Sequence, residues 1–398
     1  MTQKPFPNTP LLILSANMFI SQLGVGLVIP ILPQYIETFG ASGIQLGYLV
    51  ASMGLTLLLF SPLAGALSDQ YGRKKLIVGG IGLFAFSQFI FGYTDEMYGL
   101  YLSRLIGGIG IACMNPAITA YVTDITDLGQ RGKGHGWIGA AMALGIVSGP
   151  GIGGLLSEHG LRLPFYMAAA AALLAAAACL LLLPESLGRE AQLTARKSQP
   201  SQKNIFSQLS LSLDTPYLML FIFIFIMSFG LANIEAVFGL YVDKKYGFTP
   251  QDIAVLITAG ALMGVLVQSL LINRLLHHFQ EIQVINASLF VSAICLLLML
   301  LSGNFLYLLM VNMIYFAVLS TLRPAINTLL SKIAGHEQGF VAGLNNAYTS
   351  LGIILGPIVG GIMFDIHIDL PFLAGAVIVF FSLAIPLIWT KKASRKIL

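Results

Sequence analysis

Three charged residues sit inside otherwise apolar runs of the sequence: Arg104, Glu235 and Arg323. A carboxylate in such a place has a particular chemistry. It must be neutralised by a proton or by a cation, and whichever binds displaces the other. A site of this kind exchanges protons for ligand without leaving an unpaired buried charge. Arg323 offers Glu235 a permanent positive partner, and Arg104 is a second costly cation. Cys113, Cys179 and Cys295 lie in apolar runs with no CxxC spacing, and the six histidines fall in or near loops with no HExxH. No metal or cofactor is expected, and a membrane-embedded enzyme, which would need clustered His, Asp, Cys or Ser at one depth, is disfavoured.

The elements that hold these residues follow from composition. Of 398 residues, 57% are hydrophobic and 10% are charged, against about 25% charged in a soluble domain. So little charge could not clothe a water-exposed surface, which excludes a soluble enzyme. A membrane-spanning helix needs about 20 apolar residues, and runs of that length fall at 11–33, 45–67, 76–93, 98–123, 134–156, 164–183, 217–241, 252–273, 282–302, 305–330, 340–363 and 371–390. The fold class expected is therefore an all-α membrane protein with twelve transmembrane helices. The polar segment 185–214 has no apolar run and separates an N-terminal bundle, 1–184, from a C-terminal bundle, 215–398.

Orientation follows from the cations. With both termini in the cytoplasm, sixteen of the 21 Lys and Arg residues fall inside, among them Arg73, Lys74, Lys75, Arg131, Lys391 and Lys392. Only Arg162, Lys244 and Lys245 fall outside, a bias that fixes the topology. The net charge of +4 comes with no basic run long enough to track phosphates, so no nucleic-acid partner is expected.

The two halves repeat. Gly145, Gly149, Pro150, Gly153 and Gly154 recur 207 residues later as Gly352, Gly356, Pro357, Gly360 and Gly361. Leu163-Pro164-Phe165 recurs as Leu370-Pro371-Phe372, and Pro116-Ala117-Ile118 as Pro324-Ala325-Ile326. Parallel repeats of six helices predict two pseudo-symmetric bundles, with a substrate path between them near the midplane.

Two motifs carry more. Gly65-Ala66-Leu67-Ser68-Asp69-Gln70-Tyr71-Gly72-Arg73-Lys74-Lys75 follows the second run, and its small residues permit close helix contact. It resembles the signature loop of the major facilitator superfamily. The resemblance implies that Asp69 and Arg73 latch an inner gate, joined by Asp124 at the end of the fourth run. In the fifth run, Gly145, Gly149, Pro150, Gly153 and Gly154 form a packing seam with a proline kink. That pattern resembles the antiporter signature of drug exporters in the same superfamily.

Leu23 to Pro33, Phe229 to Glu235, Arg323 to Ile326 and Gly343-Leu344-Asn345 carry the resemblance further, to the NorA and Bmr type of Gram-positive multidrug/proton antiporter. It covers nearly the whole chain. It implies that Glu235 carries protons and that Arg104 takes part in proton coupling. A second family acid would stand three residues before the Arg-Pro of the tenth run, where this chain has Ser320. One acid implies one proton per cycle. Candidate cavity residues are Asn17, Gln22, Asn115, Asn233, Phe238, Tyr241, Phe316, Ser320, Asn345, Asn346 and Tyr348, of which the resemblance favours Asn345.

The resulting expectation is a monomeric, multi-pass protein of the cell membrane that exports small amphiphilic, neutral or monocationic drugs by alternating access. The proton is its coupling ion. The competing expectation is an exporter or facilitator of one metabolite, such as a sugar, amino acid or lipid, with weak or no proton coupling, since Ser320 departs from the two-acid pattern.

Overall fold

A computed structural model describes residues 8–197, 218–334 and 338–383. In chain order the helices are α1 (Asn8–Val28), α2 (Leu32–Glu37), α3 (Gly43–Tyr71), α4 (Arg73–Tyr93), α5 (Met97–Ile125), α6 (Arg131–Ser157), α7 (Leu163–Leu182) and α8 (Arg189–Lys197). They continue as α9 (Leu218–Tyr246), α10 (Pro250–Leu270), α11 (Ile272–His278), α12 (Glu281–Leu298), α13 (Phe305–Ala334), α14 (Gln338–Ile366) and α15 (Leu370–Ser382). Among the described residues, eleven helices are long and apolar enough to cross a membrane, and α15 is a shorter apolar one. The expected twelfth run continues to 390, and its part beyond 383 lies outside the described residues, as does the linker from 198 to 214.

Helix ends follow local chemistry. Proline occupies the first turn of α2, α7, α10 and α15, where its missing N–H costs nothing. Thr249 and Asp252 form a reciprocal capping box on α10. The first run is shorter than its hydropathy: α1 stops at Val28, and tight bonds from Ile29 N–H to Gly26 O and from Ile31 N–H to Val28 O carry the chain past Pro30 into α2. Apolarity continued across this break, but Pro30 cannot donate the helical bond and its ring clashes with the preceding turn. The eighth run is likewise broken, at Leu271 between α10 and α11.

Contacts divide the described residues into two units. The first holds the chain up to Phe39 and from Ser52 through α8; the second holds Gly40–Ala51 and everything from α9 onward. In the first, α1 packs on α6 and α4 on α5; in the second, α9 packs on α14 and α10 on α13. One buried core in the first unit gathers Ile77, Phe84, Met114 and Tyr121. Two cores in the second centre on Phe221 with Leu289, and on Tyr241 with Phe372. Large apolar side chains such as Leu174, Leu181 and Leu301 remain exposed, as a lipid-facing surface requires.

The repeat holds at the level of atoms. A methyl group added at Gly145 would come within 2.5–2.9 Å of Phe19 O, Gln22 Cβ and Leu23 N. Added at Gly352, it would meet Phe225 O, Ser228 Cβ and Phe229 N at 2.6–2.9 Å. The α1–α6 and α9–α14 seams are thus the same backbone-to-backbone contact made twice.

Candidate functional site

The latch residues meet in the first unit. Arg73, 9% exposed, bonds Asp69 Oδ1 through Nη1 at 2.5 Å and Asp124 Oδ2 through Nε at 3.2 Å. Its Nη1 also donates to Ser68 Oγ at 3.1 Å. Two residues absent from the sequence candidates complete this cluster. Glu185 accepts from the backbone N–H groups of Arg73 and Lys74 at the start of α4, at 2.9 and 3.2 Å, and Ser186 Oγ donates to Asp124 Oδ2 at 2.9 Å. Gly72 between the two helices has φ +102°, and a side chain there would strike the Glu185 carboxylate, so glycine is required. Gly65 departs from its expected role: no atom lies within 4 Å of where its Cβ would stand. The motif's close contact is made at Gly72 instead.

A second buried cation of the first unit is Arg104 on α5. It is 9% exposed, and its guanidinium lies 4.3 Å from the centre of the Phe91 ring. No carboxylate pairs with it among the described residues. A cation over an aromatic face recovers part of the cost of burial. Arg104 is therefore held inside the bundle and does not reach back to the interface.

The acid and its cation lie in the second unit. Glu235 on α9 and Arg323 on α13 are both exposed, and no ion pair joins them. Tyr315, two turns before Arg323 and 3% exposed, packs in the same core as Ile234 and Phe238 on either side of Glu235 along α9. Tyr315 was not singled out in the sequence, where it reads as one aromatic among many; only the packing of α13 on α9's neighbours places it beside the acid.

Between α9, α13 and α14 lies a cavity of about 150 Å³. Its polar lining is Ser228, Arg323, Asn327, Asn345, Asn346 and Thr349. Asn345 Nδ2 donates to Asn327 Oδ1 at 3.3 Å.

The remaining candidates divide. Gln22, Asn115, Phe316, Ser320 and Tyr348 are half-buried. Tyr348 stacks on Phe221 at 5.5 Å, and Ser320 Oγ donates to Ala317 O in its own helix at 2.7 Å. Four others are packed into the bundles. Asn17 donates to Ile13 O and to Cys179 Sγ at 2.8 and 2.9 Å. Phe238 belongs to the core; the Tyr241 ring, 0% exposed, lies 4.1 Å from Phe372, and its hydroxyl accepts from Lys245 at 2.9 Å. Asn233, also 0% exposed, is pressed against Gly360.

Residues 14–232 and 220–397 each match the Major Facilitator Superfamily. The chain belongs to that superfamily. It is 40% identical to Multidrug resistance protein 2 of Bacillus subtilis (strain 168) over 96% of each chain. It is 34% identical to the quinolone resistance protein NorA of Staphylococcus aureus (strain COL), covering 94% of this chain and 96% of that one. Among solved structures, a bacterial homologue of the human lysosomal transporter Spinster superposes with a TM-score of 0.76 over 98% of each chain at 16% identity. That superposition fixes the fold: a multi-pass membrane protein built as superfamily transporters are.

Proposed function

We propose that this protein is a proton-coupled multidrug exporter of the cell membrane, with both termini cytoplasmic and 185–214 as the linker between halves 1–184 and 215–398. The reading is supported by full-length similarity to drug-resistance proteins and is carried by Glu235. An exposed acid on a membrane-spanning helix, without an ion pair among the described residues, supports the exchange of a proton for a substrate. Protonation from outside releases the drug outward and permits return. A charge closed off at mid-bilayer costs about 2.5–3.5 kcal/mol on insertion scales, so a closed state with Glu235 empty and ionised is avoided and the exchange stays coupled. The working unit is one chain, without cofactor.

One proton falling through 100 mV yields about 2.3 kcal/mol, and one pH unit adds about 1.4. A substrate of zero net charge is then concentrated roughly several hundredfold, and a monocation about tenfold per pH unit because its exchange is electroneutral.

Ethidium efflux from cells, measured with and without an uncoupler, tests the reading. Wild-type efflux stops with the uncoupler, and Glu235→Gln abolishes it. A Glu235→Gln protein that pumped like wild type would remove the acid from the mechanism. Wild-type efflux indifferent to the uncoupler would establish the facilitator reading instead.

A further inference from the structure

We infer that the groove between α4, α7 and α8 holds an anionic phospholipid, its phosphate at Lys74 and Lys75 and one acyl chain laid along the exposed face of α4. All three helices belong to the first unit, and the site is separate from the one that carries substrate.

A cavity of about 560 Å³ opens here, within the roughly 300–1,000 Å³ of sites that take a drug-sized ligand. Its lining is divided by chemistry. Lys74 and Lys75 lie in the first turn of α4, and Val78 and Gly79, with Leu180 of α7, line it one turn further along. The cavity is therefore cationic where α4 begins and apolar beyond. Neither lysine forms an ion pair among the described residues. Glu185 is the one acid in the lining, and its two oxygens already accept the N–H groups of Arg73, Lys74 and Leu187. The first amides of α4 are thereby spent as well, so an anion entering the cavity must be held by the ammonium groups. Arg196 of α8 lies 4.7 Å from the centre of the Tyr71 ring and donates to Gln70 O at 2.9 Å. These contacts hold α8 against the junction of α3 and α4 and keep Gln192 in the wall.

The groove runs on past the cavity. No atom lies within 4 Å of where a Cβ at Gly79 would stand, and Lys75, Gly79, Leu83 and Phe86, spaced by four, four and three, form one exposed face of α4. From Lys75 to Phe86 the helix rises about 16 Å at 1.5 Å per residue, half of the roughly 30 Å hydrocarbon thickness. That is the depth of one acyl chain in a single leaflet. A soluble anion would use the lysines and leave this face untouched, and a zwitterionic lipid would bring its own cation to two others. An anionic phospholipid satisfies both ends. In the topology proposed above, α4 begins at the cytoplasmic leaflet, whose surface is negative.

Native mass spectrometry of the purified full-length protein, released from micelles doped with phosphatidylglycerol or with phosphatidylcholine of the same chains, is the test. Each lysine near an anionic surface adds about fivefold to binding, so wild type is expected to retain phosphatidylglycerol roughly 25-fold better than phosphatidylcholine. Changing Lys74→Gln and Lys75→Gln together removes that preference, and the paired changes to arginine keep it. Gly79→Leu leaves every charge in place, but its side chain fills the groove. It is expected to lower phosphatidylglycerol retention about tenfold, the equivalent of roughly two buried methylenes. Gly79→Ala, which leaves room for the chain, should bind as wild type does, so that groove and fold are tested separately. Glycerol 3-phosphate in large excess should not displace the lipid. Equal retention of the two lipids, or a preference that survives the loss of both lysines, would overturn the proposal. So would a preference undiminished by Gly79→Leu, since the lysines would then attract anionic lipid only as diffuse surface charge. Displacement by glycerol 3-phosphate would overturn it in favour of a site for a soluble phosphate.

Discussion

Asn233 stands in α9 where Leu27 stands in α1. Gly153 presses on the backbone of Leu27, and 207 residues on, Gly360 presses on Asn233, where an added methyl group would lie 2.5 Å from Asn233 Oδ1. Both side chains are sealed from solvent, at 2% and 0% exposure, but neither amide atom of Asn233 has a hydrogen-bond partner. An apolar residue in one half is thus answered by an unsatisfied amide in the other.

The cost of such a group, about 1–3 kcal/mol, makes Asn233→Leu a stabilising substitution. Leucine has as many side-chain heavy atoms as asparagine, branched at the same carbon, and is the residue that fills this place in the first half. The melting temperature of the purified protein should rise by about 2–4 °C for each kcal/mol recovered. Gly360→Ala should lower it, because the added methyl group has nowhere to go. A fall in Asn233→Leu would mean that the amide has a partner in the working protein.

The latch makes a graded prediction. Asp69 is 54% exposed and Asp124 22%, so the first pair is screened by water and contributes at most about 1 kcal/mol. Asp124 binds both Arg73 and Ser186. Transport turnover in Asp124→Asn should therefore fall further than in Asp69→Asn. Arg73→Lys should behave like the more severe of the two, because one ammonium cannot serve Asp69, Asp124 and Ser68 from separate nitrogens. Equal effects at the two acids would show that burial does not set their weight.

Glu185 caps α4 from the far end of the sixth span, accepting from two amides that have no helical partner. Glu185→Ala should cost about 0.5–2 kcal/mol, read as a lower melting temperature. Glu185→Gln keeps the acceptor and loses the charge that favours a helix start, and should recover about half.

The sequence-legible part of this molecule was the part fixed by solvent. Runs of Leu, Ile, Phe and Ala must enter the bilayer, so the spans and the glycine–proline repeat could be read directly. Pro30 shows where hydropathy overreaches, because an apolar run says nothing about whether its backbone can continue a helix. The faces of the helices were not legible at all. In lipid both the buried and the outward side of a helix are apolar, so periodicity does not reveal which residues turn inward. Tyr241 and Asn233 could be placed on the seventh span but not in its packed interior, and Tyr315 could not be told from other aromatics. Glu185 was hidden for another reason: it precedes a polar stretch and belongs, through two backbone bonds, to a helix more than a hundred residues earlier.

Ser320 carries the last prediction. It lies one turn before Arg323 in α13 and spends its hydroxyl on its own helix, so this site has a single acid. A dication entering it would leave one charge uncompensated, and export against one proton would run against the membrane potential at about 2.3 kcal/mol per 100 mV. Ser320→Asp supplies a second acid, and in inverted vesicles it should raise uptake of a dication relative to a monocation of matched hydrophobicity. The same change sets a carboxylate one turn from Arg323, which should pair with it. An unchanged dication ratio would show that charge count at this position does not set the substrate range.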